Sequence, residues 1–72
     1  MINEKINFSI IKTMRKKRGI TRTQLCKMSG IPLSTLHDLE EGITANPRLL
    51  TLIAIADAFQ LDLSGFIALL QE

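Results

Sequence analysis

The chain has 72 residues and a net charge of +2, and its 46% hydrophobic and 22% charged content with only 4 Gly and 2 Pro indicates one globular domain rather than a disordered segment. Its single cysteine excludes an internal disulfide, and one cysteine with one histidine cannot supply a structural zinc site, so we expect no metal and no cofactor. Because residues 1–8 lack the features of a secretory signal and no apolar run reaches the roughly 20 residues of a membrane span, we expect a cytoplasmic protein with no membrane partner.

The charges are distributed unevenly along the chain. Residues 1–27 contain eight Lys or Arg and one acid, a charge of +7, whereas residues 28–72 contain one Arg and six acids, a charge of −5. Such asymmetry is typical of a protein that meets a polyanion on one side.

The first two helices are predicted from hydrophobic spacing and end signals. A helix over about 8–18 is indicated by Phe8, Ile11 and Met14 at helical spacing. A second is predicted over 22–29, because Thr21 and the glutamine three residues later form a capping box. Glycines end both helices, and the outer face of the first is basic, with Lys12, Lys16 and Lys17.

A third helix is predicted over 33–41, where Pro32 marks the start and Leu36 and Leu39 face the core. Only residues 29–31 then separate it from the second helix. This is the short, Gly-containing turn expected between two steeply crossing helices, so the pattern predicts a helix-turn-helix.

The last two helices are predicted over 47–59 and 63–70. Asn46 and Pro47 are expected to supply the N-cap and first turn of the fourth helix, and Asp62 the N-cap of the fifth. No segment has the alternating pattern of a strand, so the predicted fold is all-α, with residues 1–72 in a single domain.

The sequence also matches a known pattern. Residues 18–42 read RGITRTQLCKMSGIPLSTLHDLEEG, and Pro47 precedes TLIAIADAF at 51–59. Over 15–59 this resembles the Cro and phage-repressor type (XRE-like) helix-turn-helix family. The resemblance implies a five-helix, lambda-repressor-like domain that binds double-stranded DNA as a transcriptional regulator such as a repressor. It also implies a core of Leu25, Ile31, Leu36, Leu39, Leu52, Ile55, Ala56 and Phe59.

The resemblance implies a role for two further groups of residues. Arg15 and Glu40 match positions that form a structural ion pair in the family. Residues 33–41 match the recognition helix, which lies in the major groove with its N-terminal side chains toward base edges. The predicted DNA contacts are Lys16, Lys17, Arg22, Thr23, Leu33, Ser34, Thr35, His37, Asp38 and Arg48.

These contacts divide into base-reading and phosphate-binding residues. Ser34 and Thr35 can donate to bases or phosphates, and Leu33 can contact a thymine methyl group. His37 is either a further donor or an ordinary surface residue, whereas Asp38 is repelled by DNA unless it accepts from cytosine.

The basic set of Lys12, Lys16, Lys17, Arg18 and Arg22 would bind phosphates. Arg22 is expected to bind a phosphate, because it stands at the N-terminus of the second helix, where both its amide and its side chain can reach one. The family usually has Gln at this position. Arg48 is expected near the DNA backbone. Cys26, where the family usually has Ala, is expected to pack in the core.

An apolar face on the fourth and fifth helices predicts a homodimer. It comprises Leu50, Ile53, Ala54, Phe66, Leu69 and Leu70. The alternative is that the fifth helix packs back and covers this face.

A second functional interpretation is a protein-interaction module on the same fold, such as the antitoxin-like partner of a toxin. It is favoured by a recognition helix with Asp38, Glu40 and Glu41 but no Lys or Arg. We expect no enzyme, since the chain shows no acid/base pair, activated nucleophile or phosphate loop.

Overall fold

The computed structural model describes residues 6–44 and 46–71, and residues 1–5, 45 and 72 of the predicted domain lie outside this description. The helices are α1 Ile10–Lys17, α2 Arg22–Ser29, α3 Leu33–Glu40, α4 Leu49–Ala58 and α5 Leu63–Leu70. In these ranges there is no strand, only an isolated antiparallel bridge between Ile6 and Gln71. The predicted all-α fold is confirmed.

The turn between α2 and α3 is set by local sequence at both ends of α2. The Thr21 hydroxyl accepts from the Gln24 amide at 3.1 Å, and the Gln24 side chain accepts from the Thr21 amide at 2.7 Å. At the other end Gly30 has a φ of +77°, which favours glycine, and its amide donates to the Cys26 carbonyl at 2.8 Å. The turn is therefore residues 30–32. Ser29 is the last residue of α2, in agreement with the predicted bounds 22–29, so the turn predicted at 29–31 begins one residue later.

The predicted start of α4 is wrong. Asn46 and Pro47 precede the helix, and its N-cap is Arg48, which is extended (φ −68°, ψ 149°) and makes no side-chain capping bond. The fixed φ of proline suits an extended residue as well as a first helical one, so the Asn-Pro pair does not determine which is formed. Smaller differences of one or two residues occur at both ends of α1 and at the ends of α3 and α4.

One hydrophobic core joins all five helices. Its buried members are Ile11, Leu25, Ile31, Leu36, Leu39, Ile55, Ala56, Phe59, Phe66 and Leu70. The rings of Phe59 and Phe66 stack with centroids 6.5 Å apart, which joins the end of α4 to α5. Leu52, predicted as core, is only partly buried. Helix α2 packs against both α3 and α4, so the helix-turn-helix is held in place by α4.

The predicted apolar face on α4 and α5 is smaller than expected. Phe66 and Leu70 are fully buried and Ala54 is partly buried, because α5 packs back onto the core. The large apolar side chains still exposed on these two helices are Leu49, Leu50, Ile53 and Leu69, with Leu50 at 76% exposure.

Within the described ranges no single helix is long and apolar enough to cross a membrane. The α4–α5 pair reaches such a length and composition only when the two are counted together, and they are bent by 94° relative to each other.

Two neighbouring leucines of α5 provide a matched test of this packing. Leu70 is 0% exposed and Leu69 is 52% exposed. Leu70→Ala is expected to lower the free energy of unfolding by about 2–5 kcal/mol, because it leaves a cavity in the core. Leu69→Ala should change it by less than about 0.5 kcal/mol when urea denaturation is followed at low protein concentration. Equal losses in the two variants would show that α5 does not pack as described.

Candidate nucleic-acid interface

Helix α3 has one anchored side and one open side. Leu36 and Leu39 are buried in the core, whereas Leu33, Ser34 and His37 are exposed. The predicted contacts Thr35 and Asp38 lie at the margin, each partly buried. The open side therefore presents an apolar, a hydroxyl and an imidazole group together, near the start of the helix.

The carboxylate of Glu40, at the end of α3, is completely buried and paired. Arg15 donates to it through Nε at 2.9 Å and Nη2 at 3.0 Å, and donates through Nη1 to the Ile20 carbonyl at 3.0 Å. The structure thus contains the ion pair that the family resemblance implies. It ties α1 to α3 and to the segment that leads into α2.

Arg22, the residue expected most strongly to bind phosphate, is engaged inside the protein. Its Nε donates to Glu40 Oε1 at 3.0 Å and its Nη2 to Glu41 Oε2 at 3.0 Å. Burial acts to lower the pKa of Arg22, but the hydrogen bonds and charges of Glu40 and Glu41 outweigh it and raise that pKa above its ordinary value. A phosphate would have to compete with these carboxylates for the guanidinium.

Glu41 also binds Lys12 of α1, whose Nζ lies 3.3 Å from the same Glu41 oxygen. Hydrogen bonds from Lys12 and then Arg22 lower the pKa of the Glu41 carboxyl. We call this set of five side chains the carboxylate network: Lys12, Arg15, Arg22, Glu40 and Glu41. With three cations and two carboxylates, its formal charge is +1.

The part that Glu41 plays in this network is not among the sequence predictions, which treat Lys12 only as a phosphate-binding residue. One signal points to it, because Lys12 and Arg15 are three residues apart on α1 and so share a face that two consecutive acids could meet. Nothing in the sequence shows that Arg22 reaches the same acids, since that contact depends on how α2 packs against α3.

The remaining basic residues differ in their exposure and in their contacts. Lys16 and Lys17 of α1 are exposed, as is Thr23 of α2. Arg18 lies with its guanidinium carbon 4.9 Å from the centre of the Phe59 ring, so it covers the core through a cation–π contact. Arg48 is exposed and lies far along the chain from these residues.

Arg48 lines a groove that runs along one flank of α3. Pro32, Thr35 and Leu39 line the same groove, together with Leu50 of α4. Arg22 and Lys12 instead contact the acids at the C-terminal end of α3.

His37 and Asp38 are neighbours on α3 and interact with each other. His37 Nδ1 lies 3.1 Å from Asp38 Oδ1. The backbone carbonyl of Asp38 accepts from the amides of Ile43 and Thr44, which ends α3. The carboxylate expected to be repelled by DNA therefore lies beside an imidazole nitrogen, which donates to it when that nitrogen carries a proton.

Cys26 is partly buried and packs against the core. Burial, followed by the charge of Glu40, raises the pKa of its thiol. The thiol is accordingly less reactive than an exposed one.

Fold and site together define a helix-turn-helix domain whose α3 is held in the core on one side and exposed on the other. The model of the Cro/C1-type helix-turn-helix family matches residues 11–66, and the chain belongs to that family. Its fold is the lambda-repressor-like all-α fold, and its family is one of DNA-binding regulators. A comparison with curated proteins gave no match.

The two consecutive glutamates allow a matched test of the carboxylate network. Glu40→Gln is expected to lower the free energy of unfolding by about 3 kcal/mol, because it leaves the buried Arg15 guanidinium without its charge partner. Glu41→Gln should lower the free energy of unfolding far less, since that side chain is 39% exposed and its partners reach water. Urea denaturation at neutral pH measures both values, and similar small losses would show that the Glu40 pair does not hold the fold together.

Proposed function

We propose that the protein is a sequence-specific transcriptional regulator that binds double-stranded DNA as a homodimer, with α3 in the major groove. The observation that carries this proposal is the exposure of Leu33, Ser34 and His37 on a helix whose opposite side is held in the core. The first two lie in the opening turn of a family recognition helix, where base edges are read.

The proposed contacts fall into two classes. Lys16, Lys17 and Arg48 are exposed cations that would bind phosphates and so supply affinity and register. Ser34 and His37 would donate to base edges, while Leu33 would contact a thymine methyl group. Thr23 and Thr35 would add hydroxyl contacts beside them.

The homodimer is part of the proposal. Leu49, Leu50 and Ile53 remain exposed on α4 and Leu69 on α5, and large apolar side chains exposed in this number favour association. A two-fold protein also suits a palindromic site whose half-sites lie about one helical turn apart. A cytoplasmic location and the absence of catalysis complete the proposal.

DNA binding is tested by fluorescence anisotropy with a random duplex and with promoter duplexes from the protein's own locus, at several salt concentrations. We expect tight binding to one duplex and a steep loss of affinity as salt rises. Absence of binding to every duplex at about 50 mM salt would contradict it, and would favour the protein-interaction module.

Two kinds of substitution separate the two classes of contact. Lys16→Gln with Lys17→Gln should weaken binding to all duplexes alike and flatten the salt slope by about 0.9 for each phosphate that is no longer neutralised. Ser34→Ala should instead relax the preference at a single base. Lys27→Gln, at an exposed lysine outside the predicted DNA-binding set, is the control for charge alone. If the Lys27 variant loses as much affinity per charge as the Lys16 and Lys17 variant, the proposed docking is wrong.

A further inference from the structure

We propose that Glu41 acts as an internal competitor of DNA phosphate: it holds Arg22 and Lys12 in the free protein and thereby limits the affinity for every duplex. This inference rests on the proposed function. It assigns a purpose to a carboxylate whose charge opposes binding to a polyanion.

Glu41 binds its two cations as a phosphate oxygen would. A single oxygen, Oε2, accepts from Arg22 Nη2 at 3.0 Å and from Lys12 Nζ at 3.3 Å. Both cations are phosphate ligands in the sequence-based prediction. A guanidinium binds carboxylate and phosphate with the same donor geometry, so the two anions compete for the same Arg22 nitrogens.

Arg22 can leave the carboxylate network without depriving either acid of all its partners. Glu40 keeps both hydrogen bonds from Arg15, at 2.9 Å and 3.0 Å. Glu41 keeps Lys12. The release of Arg22 therefore avoids the large penalty of an unpaired buried carboxylate.

A phosphate can also reach the Arg22–Glu41 ion pair from solvent. The Arg22 side chain is 24% exposed and that of Glu41 is 39% exposed, so a phosphate can approach both. The buried Arg15–Glu40 pair offers no such access. Arg22 is thus the exchangeable member, whereas Arg15 is the fixed one.

Glu41 lies on the side of α3 that would face DNA. It directly follows the helix and is spaced four residues after His37 and seven after Ser34, both of which are exposed. Residues at this spacing share one side of a helix. Its negative charge would consequently repel the phosphates as well as occupy the cations that bind them.

The test is the affinity of Glu41→Gln for random and preferred duplexes, measured by anisotropy at about 50 mM salt. We expect tighter binding to all duplexes by roughly two- to fivefold, the value of a partly exposed ion pair. Asp57→Asn changes the net charge equally, on an exposed position of α4, and is the matched control. Its affinity should stay near that of the wild type.

A double-mutant cycle shows whether the effect passes through Arg22. In an Arg22→Gln background, which carries the residue usual in the family, Glu41→Gln should give only part of its full gain, because no guanidinium is left to release while Lys12 is still freed. Thermal unfolding of each variant verifies that the fold is retained.

The outcomes are distinct. A gain for Glu41→Gln that exceeds that for Asp57→Asn and shrinks without Arg22 supports the proposal. Wild-type binding with equal or weaker binding by Glu41→Gln overturns it and leaves the proposed function standing. If neither the wild type nor any variant binds DNA, the proposed function fails and this inference fails with it.

Discussion

A buried carboxylate is the constraint on which the arrangement of the first three helices depends. Removing the charge of Glu40 from water is costly unless charged donors surround it. Arg15 supplies two of them and also binds the Ile20 carbonyl, and Arg22 supplies a third. Every side-chain polar atom buried within residues 6–44 and 46–71 has a partner. The orientation of α1, α2 and α3 is therefore fixed by one acid as well as by the core.

This constraint acts at the C-terminal end of α3 and leaves side chains of its first turn exposed. The C-terminal end of α3 is held through Glu40, and its inner side through Leu36 and Leu39. The exposed residues Leu33 and Ser34 lie in the first turn, away from the ion pairs. A rigid helix with a free first turn is well suited to read base edges, because its side chains are positioned before binding.

Much of this fold could be predicted from the sequence, because its signals are local. The capping box at Thr21 and the glycine at Gly30 locate α2, and hydrophobic spacing locates the core. The start of α4 could not be predicted, since proline fits both candidate conformations. The burial of Phe66 and the hydrogen bonds of Arg22 to both Glu40 and Glu41 could not be predicted either, because they depend on packing between helices.

Sequence-specific recognition of DNA by α3 is tested by selection of bound duplexes from a random pool. We expect enrichment of one palindromic sequence, with half-sites about one helical turn apart. The enriched sequence should change when Ser34 is replaced. Recovery of unrelated duplexes with no shared sequence would show that α3 does not read base edges.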